Sequence, residues 1–463
     1  MAGHALILLP EEAGQVLPPY FFSRIAGLPL LYRLIYSCWR SGVNRVSIMA
    51  PREARADLES HLDRIYTRKG GAVQLISDWQ DLWNHTQGDQ GDGPMLVLVA
   101  DLLPLPTFMA EFAHFPVPAG SLALAVTGPP GSGEVCAFRE RHPAYLATRQ
   151  DRLITSLGFY APPGNCCAMG LVAFSKAAWE DWRLWQGRQS GTDSGTSPET
   201  WLYPYLAEQA REKKIVAVES PPLGVSLVSG SQDLRQVGFR LITATAGSPW
   251  GEGYFEGSLN RELARKILWR ISEWPVTPNY ITASNYLLGL AAIAGFLNGT
   301  YWGCLAGALF LPLIMVLDCL DGLLARVIFR ETWEGVLLDL YSDRVQDVLI
   351  LCGISIGQYR ATGRPLFLAL LLPLILGYAW CWRETNPIRG KSREKVEDLL
   401  RTRSRKKQPP GERVLTEAAS RDFFYLILLF ALFNHLDWFI LATGIGTGLF
   451  ALVLLWLRRR GQD

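Results

Sequence analysis

Two regimes of hydrophobic and polar patterning divide the chain. Up to about Trp274 the apolar runs are short and separated by charged residues and Gly/Pro turns. ALILLP reads as a buried strand ended by proline, LPLLYRLIYSCWRSG as a helix, VNRVSIMAP as a second strand and LVLVADLLPLP as a third. Strands alternating with helical patterns predict an α/β domain with a mainly parallel sheet, over residues 1–245. From Tyr280 onward long apolar stretches take over. A membrane span needs about 20 mainly apolar residues, and six candidates fall at 283–300, 302–327, 335–357, 364–382, 422–437 and 438–457. They predict an all-α six-helix transmembrane domain over 279–463, joined to the first domain through 246–278.

The connections predict orientation. RETNPIRGKSREKVEDLLRTRSRKKQPPGER lies between the fourth and fifth spans, and LRRRGQD follows the sixth; the positive-inside rule assigns both to the cytoplasm. Six spans then put the N-terminal domain there too. GSLNRELARKILWRISEW is amphipathic, and it is expected to lie in the interface plane with Trp269, Ile271 and Trp274 toward lipid, or else to be a plain connecting helix. Residues 391–421 read equally as a headgroup-binding patch or a solvated loop.

Composition adds little beyond this division. The chain is 49% hydrophobic with 16 tryptophans, and its net charge of +2 comes from locally concentrated basic segments. No nucleic-acid partner is expected. Eight cysteines show no paired metal-ligand spacing and read as reduced, small apolar residues. The first 30 residues lack the pattern of a secretory signal, so none is expected.

The candidate chemistry lies in DCLDGLLARVIFRETWEGVLLDLYSD, residues 318–343. Carboxylates inside a span are costly and mark a functional site by default. On a helix, Asp318, Asp321, Gly322 and Ala325 share one face, as do Gly335, Asp339 and Asp343 on the next. The link around Phe329 to Glu334 permits only an antiparallel hairpin. Counted outward from that turn, Asp321 matches Asp339 in depth and Asp318 matches Asp343. Four such carboxylates repel unless cations lie between them, and hard oxygen donors suit Mg²⁺, Mn²⁺ or Ca²⁺, with room for one or two ions. Gly322, Ala325 and Gly335 either open a cleft for a flat or phosphorylated ligand or serve close helix packing. Arg326 reads as a phosphate partner or as a snorkelling anchor.

The pattern D-x2-D-G-x2-A-R-x8-G-x3-D-x3-D is complete here, and it resembles the signature of the CDP-alcohol phosphotransferases, membrane enzymes that make phospholipids and related phosphodiesters. WPVTPNYITASNYLLGL resembles the start of the family's first span. The resemblance covers about residues 275–458. It implies a Mg²⁺ or Mn²⁺ site made by Asp318, Asp321 and Asp339 together with the neighbouring Asp343, and that Asp343 is also the general base toward the acceptor hydroxyl. It also implies that Gly322, Ala325, Arg326 and Gly335 surround the CDP moiety. The expected partners are a CDP-alcohol donor (CDP-diacylglycerol or a CDP-polyol), a phosphorylated alcohol acceptor, the bilayer and a second copy in a homodimer.

IAGLPLLYRLIYSCWRSGVNRVSIMAP, LVLVADLL and VSGSQDLRQVGFRLI resemble the sugar-nucleotidyltransferase fold in order and spacing. The arrangement is similar to fusions in which a cytidylyltransferase that activates inositol 1-phosphate precedes the phosphotransferase. The nucleotide loop departs from that pattern. LLPEEAGQVLPPYFFSR holds Gly14 alone, acidic Glu11 and Glu12, and Pro19-Tyr20 in place of Pro-Lys. Asp101 sits where the family has a metal-binding aspartate. The first domain is therefore expected to be nucleotidyltransferase-like and inactive.

For the whole chain the expected activity is metal-dependent transfer of a substituted phosphate from a CDP-alcohol to an acceptor, releasing CMP. The fused domain hints at an inositol phosphate or similar polyol phosphate, with Arg383 and Arg421 as candidate contacts. The alternatives are a phosphatidylglycerophosphate-type synthase using glycerol phosphate, an intramembrane cation transporter, and a non-catalytic scaffold. The near absence of polar positions in spans 1, 4 and 6 speaks against transport.

Overall fold

A computed structural model describes residues 3–9, 19–62, 71–86, 93–127, 146–157, 166–188, 198–221, 224–228, 231–245, 254–386, 388, 390–393 and 421–447. The chain divides into two compact units, Met1–Leu241 and Ile242–Asp463.

The first unit is built on a nine-stranded sheet. Its strands are β1 (His4–Leu8), β2 (Arg45–Met49), β3 (Ala72–Ile76), β4 (Met95–Val99), β5 (Leu122–Thr127), β6 (Leu146–Gln150), β7 (Leu153–Leu157), β8 (Cys166–Phe174) and β9 (Ile215–Glu219). Their order is β3-β2-β1-β4-β8-β5-β9-β7-β6. The run β3-β2-β1-β4 is parallel, with His4 level with both Arg45 and Met95. β8 enters antiparallel beside β4, and β9 runs parallel to β5. Parallel strands covered on both faces need continuous apolar sequence, and Ala5, Leu6, Ile7 and Leu8 at the centre are fully buried.

Helices α1 (Leu30–Arg40), α2 (Arg55–Leu62), α3 (Trp79–Thr86), α4 (Pro106–Ala113), α5 (Lys176–Arg188), α6 (Pro198–Arg211) and α7 (Ser231–Ala244) complete the α/β arrangement expected of this part. Tryptophans of α3 and α5 pack edge to face, Trp79 on Trp182 at 5.4 Å and Trp83 on Trp179 at 5.1 Å between ring centroids, and Trp201 of α6 lies tilted against Trp79 at 6.2 Å. They fill the core and explain part of the high tryptophan content.

Of the loop read as a departed nucleotide site, Glu11, Glu12 and Gly14 lie outside the described residues. Tyr20 is buried in the short turn Pro19–Phe21. Asp101 lies two residues beyond the end of β4 and is 3% exposed; its carbonyl accepts the Val228 N–H at 2.8 Å. Among the described residues no cluster of possible metal ligands forms around it.

The second unit is helical. It comprises α8 (Arg261–Ile271), α9 (Pro278–Asn298), α10 (Tyr301–Val327), α11 (Trp333–Thr362), the short turn Leu366–Ala369, α12 (Leu371–Thr385), α13 (Phe423–Leu432) and α14 (Leu436–Thr447). α9, α10 and the stretch Leu366–Arg383 are long and apolar enough to cross a membrane. They coincide with the first, second and fourth expected spans. α11 has the length, 30 residues, or about 45 Å at the α-helical rise, but carries the aspartates. α13 and α14 lie at the fifth and sixth expected spans and are shorter among the described residues. On α8, Trp269 is exposed and Ile271 half-buried, with Trp274 exposed just beyond; Ala264 and Leu268 turn inward.

α9 packs along both α10 and α11, around a core that includes Phe296, Leu311, Ile354, Phe424 and Ile427. One glycine makes this approach possible. A Cβ at Gly357 would lie 2.0 Å from the backbone oxygen of Phe296, so α11 reaches α9 only with hydrogen at that position. α10 and α11 form the expected hairpin through residues 328–332, with Phe329 left-handed at φ 57°. The side chain of Thr332 accepts the Gly335 N–H at 3.0 Å and so caps the start of α11.

Candidate metal centre and active site

Asp318 and Asp321 lie three residues apart on α10, so both project from one face; Asp339 projects from the opposing face of α11. Carboxylate oxygens of these three residues come within 4.8 Å of one another. Asp321 is buried, Asp318 half-buried and Asp339 exposed. α9 contributes a further group, because Thr282 Oγ1 donates to Asp321 Oδ2 at 2.7 Å. That bond holds one oxygen of the carboxylate in place.

Asp343, one turn beyond Asp339, meets a cation belonging to the chain itself. Arg421, just before α13, brings Nη1 to 2.9 Å from Asp343 Oδ1 and 3.6 Å from Asp318 Oδ1. The pair at the deeper of the two expected levels is thus bridged by a guanidinium. Arg421 is held from behind: Nε donates to Asp347 Oδ1 at 3.0 Å and Nη2 to Gln346 Oε1 at 3.0 Å. Although it is 2.9 Å from Asp343, Nη1 makes no aligned hydrogen bond among the described residues. Asp347, fully buried, also accepts from Tyr378 OH at 2.5 Å and from Arg344 Nη1 at 3.3 Å. A Cβ at Gly289 would lie 2.0 Å from Gln346 Nε2, so that glycine opens the space in which the Gln346 side chain lies.

The remaining motif positions surround the mouth of the hairpin. A Cβ at Gly322 would meet the Arg326 guanidinium at 3.5–3.8 Å, so Gly322 leaves a shelf beside that group. Arg326 Nε is buried and without a hydrogen bond among the described residues. Ala325 is half-buried and Gly335 exposed. Arg383 lies over the Trp380 ring, 4.6 Å from its centroid.

The donor set fits a hard divalent cation. Three carboxylates from two helices offer only oxygen ligands, the preference of Mg²⁺ and Mn²⁺. Charge agrees: with all groups ionised, Asp318, Asp321, Asp339, Asp343 and Asp347 face Arg326, Arg344 and Arg421. The excess of two negative charges is that of one divalent ion.

Sequence reasoning missed Thr282, Gln346 and Asp347. Asp347 had a usable signal, since it continues the i, i+4 series of Asp339 and Asp343 by one more turn. Thr282 and Gln346 had none, because their roles arise from contacts with distant parts of the chain.

Residues 275–449 match the family model described as CDP-alcohol phosphatidyltransferase. The chain is 35% identical over 128 residues to the archaetidylinositol phosphate synthase of Methanothermobacter thermautotrophicus, a match covering 27% of this chain and 63% of that protein. It is 35% identical over 109 residues to the bifunctional IPC transferase and DIPP synthase of Aquifex aeolicus, covering 22% of this chain and 24% of that one. Its match to the protein of the same description from Archaeoglobus fulgidus is 28% identical over 152 residues, with 33% and 29% covered. The matches therefore span less than two thirds of these relatives. Among solved structures, the inositol-1-phosphate CTP transferase from T. maritima superposes with a TM-score of 0.39 at 16% identity, covering 53% of this chain and 98% of that one.

Proposed function

From the premise that residues 275–449 are a CDP-alcohol phosphatidyltransferase domain, we propose that the protein transfers a substituted phosphate from a CDP-alcohol to a phosphorylated polyol and releases CMP. The observation that carries this reading is the convergence of Asp318, Asp321 and Asp339 oxygens within 4.8 Å, beside an Asp343 that lies outside the trio. Asp318, Asp321 and Asp339 would hold Mg²⁺ or Mn²⁺, which when bound supplies positive charge to the diphosphate and to the departing CMP. Asp343 receives the proton of the acceptor hydroxyl as its oxygen attacks the phosphorus bearing the donor's alcohol. The bond from that phosphorus to the oxygen bridging it to the CMP phosphate breaks, and CMP leaves with the electron pair. Arg326, whose Nε has no hydrogen bond among the described residues, is suited to a phosphate of the CDP moiety, and Gly322, Ala325 and Gly335 leave room for it.

The acceptor's phosphate is read from Arg421, a buried guanidinium beside Asp343 whose Nη1 has no aligned acceptor. A relative described as an archaetidylinositol phosphate synthase supports an inositol phosphate as the first acceptor to test. Six spans, with the first unit and the basic segment at 391–421 on the cytoplasmic side, place the site near the cytoplasmic surface in this reading. The first unit is proposed to be a catalytically silent companion. CMP release from CDP-diacylglycerol and CDP-inositol, measured against inositol phosphate and glycerol phosphate with Mg²⁺ or Mn²⁺, tests the proposal. No release with any pair would refute it. Release with glycerol phosphate alone would replace the acceptor.

A further inference from the structure

We propose that Asp347 is a positioning residue: its carboxylate keeps Arg421 from closing fully on the metal-binding aspartates, so that an ion can compete for Asp318 and Nη1 can turn to the acceptor. The proposal rests on the metal reading above. It starts from an imbalance in the contacts of Arg421. The guanidinium has five N–H donors in a rigid fork, and the aligned bonds it makes run to Asp347 through Nε and to Gln346 through Nη2. Nη1 approaches Asp343 and Asp318 to 2.9 and 3.6 Å without an aligned hydrogen bond.

A free arginine between two carboxylates would turn to form a bidentate pair with one of them. The pull from Asp347 opposes that turn. Asp347 is equipped for the role, because it is fully buried and anchored by Tyr378 OH at 2.5 Å and Arg344 Nη1 at 3.3 Å. Arginine and metal compete for Asp318, so the grip of Asp347 on the arginine sets how much of that carboxylate the ion can claim. Outer partners of metal ligands typically change affinity by about 10- to 100-fold when removed.

The test is Mn²⁺ binding to the purified full-length protein in detergent, read from the free-ion electron paramagnetic resonance signal without substrate. Asp347→Asn removes the charge that holds Arg421 and is expected to weaken Mn²⁺ binding roughly tenfold. The double variant Asp347→Asn/Arg421→Gln removes the competing cation as well and is expected to recover most of that loss, though not turnover. A role confined to folding would not produce that recovery. If Asp347→Asn binds Mn²⁺ like the wild type, or the double variant binds worse than the single one, the proposal is overturned. If the wild type binds no Mn²⁺, the metal reading falls and the proposal with it. Should Asp347→Asn fail to fold, Tyr378→Phe decides. It removes a neutral donor, leaves Asp347 pulling harder on Arg421, and keeps or tightens Mn²⁺ binding. Weakening of about fivefold or more, approaching the loss expected of a missing outer partner, overturns the proposal.

Discussion

Thr282→Val removes one hydroxyl and keeps the side chain's shape, so its effect isolates the hydrogen bond between α9 and Asp321. The Oγ1–Oδ2 distance is 2.7 Å, and the acceptor is a buried carboxylate. The same hydroxyl is 3.1 Å from the Pro278 carbonyl, but its single proton serves the closer, charged acceptor. Hydrogen bonds to charged groups contribute about 1.5–3 kcal/mol, and each ~1.4 kcal/mol is a factor of ten in affinity. If that bond orients Asp321 for the ion, Mg²⁺ or Mn²⁺ affinity should fall on the order of 10- to 100-fold. Maximal turnover at saturating metal should fall far less. The assay is CMP release as a function of metal concentration, run beside direct Mn²⁺ titration. Thr282→Ser restores a hydroxyl and should recover most of the affinity. A metal dependence unchanged in Thr282→Val, or Thr282→Ser as impaired as Thr282→Val, would refute the reasoning.

The other predictions address separate parts of the account. Asp343→Asn should retain Mn²⁺ binding while turnover falls by about 10²- to 10⁴-fold, the usual contribution of a positioned base; loss of metal binding instead would put Asp343 among the ligands. Gly357→Ala places a methyl group 2.0 Å from the Phe296 carbonyl, and the forced separation of α9 and α11 should destabilise the protein by about 1–3 kcal/mol, visible as a lower melting temperature in detergent. In the first unit, burial pushes the Cys38 thiol up to about 12 from 9.0. Native protein should therefore resist thiol reagents at Cys38 at pH 8, as mass spectrometry of alkylated peptides would report. The unfolded thiol releases its proton near 9.0 and the folded one near 12, so between those values the unfolded state binds fewer protons. This unit should lose stability as pH rises through that window, by up to about 1.4 kcal/mol per pH unit. A flat stability profile there contradicts the assignment.

Much of the hairpin was legible because helical spacing is a local property. The i, i+3 and i, i+4 separations of Asp318, Asp321, Asp339 and Asp343 dictate faces before any tertiary contact exists, and Thr332 marks the start of α11 by a local cap. Strands such as ALILLP were legible for a similar reason, since a strand covered on both faces must be apolar throughout. What patterning could not supply was the partner of the deeper pair. Arg421 lies 74 residues beyond Asp347; its place at a span end marked it, with Arg383, as a candidate acceptor contact, but no local pattern tied it to Asp343. Facing carboxylates require a cation between them, and helical spacing alone points to metal for that role. The fold divides it, with a guanidinium at Asp318 and Asp343 and an oxygen cage open to an ion at Asp318, Asp321 and Asp339. Span counting was less secure at α11, where the charges that make the site also lower the hydropathy by which a span is recognised.

The central claim is that the three-carboxylate cage works with a bound metal on a CDP-alcohol. The most direct measurement is CMP release by purified wild-type protein and Asp321→Asn, with and without Mg²⁺ or Mn²⁺, in the presence of a CDP-alcohol and a polyol phosphate. The account predicts release by the wild type only with metal, and at most a trace from Asp321→Asn. Full turnover by Asp321→Asn, or wild-type release that persists in a chelator, would contradict it.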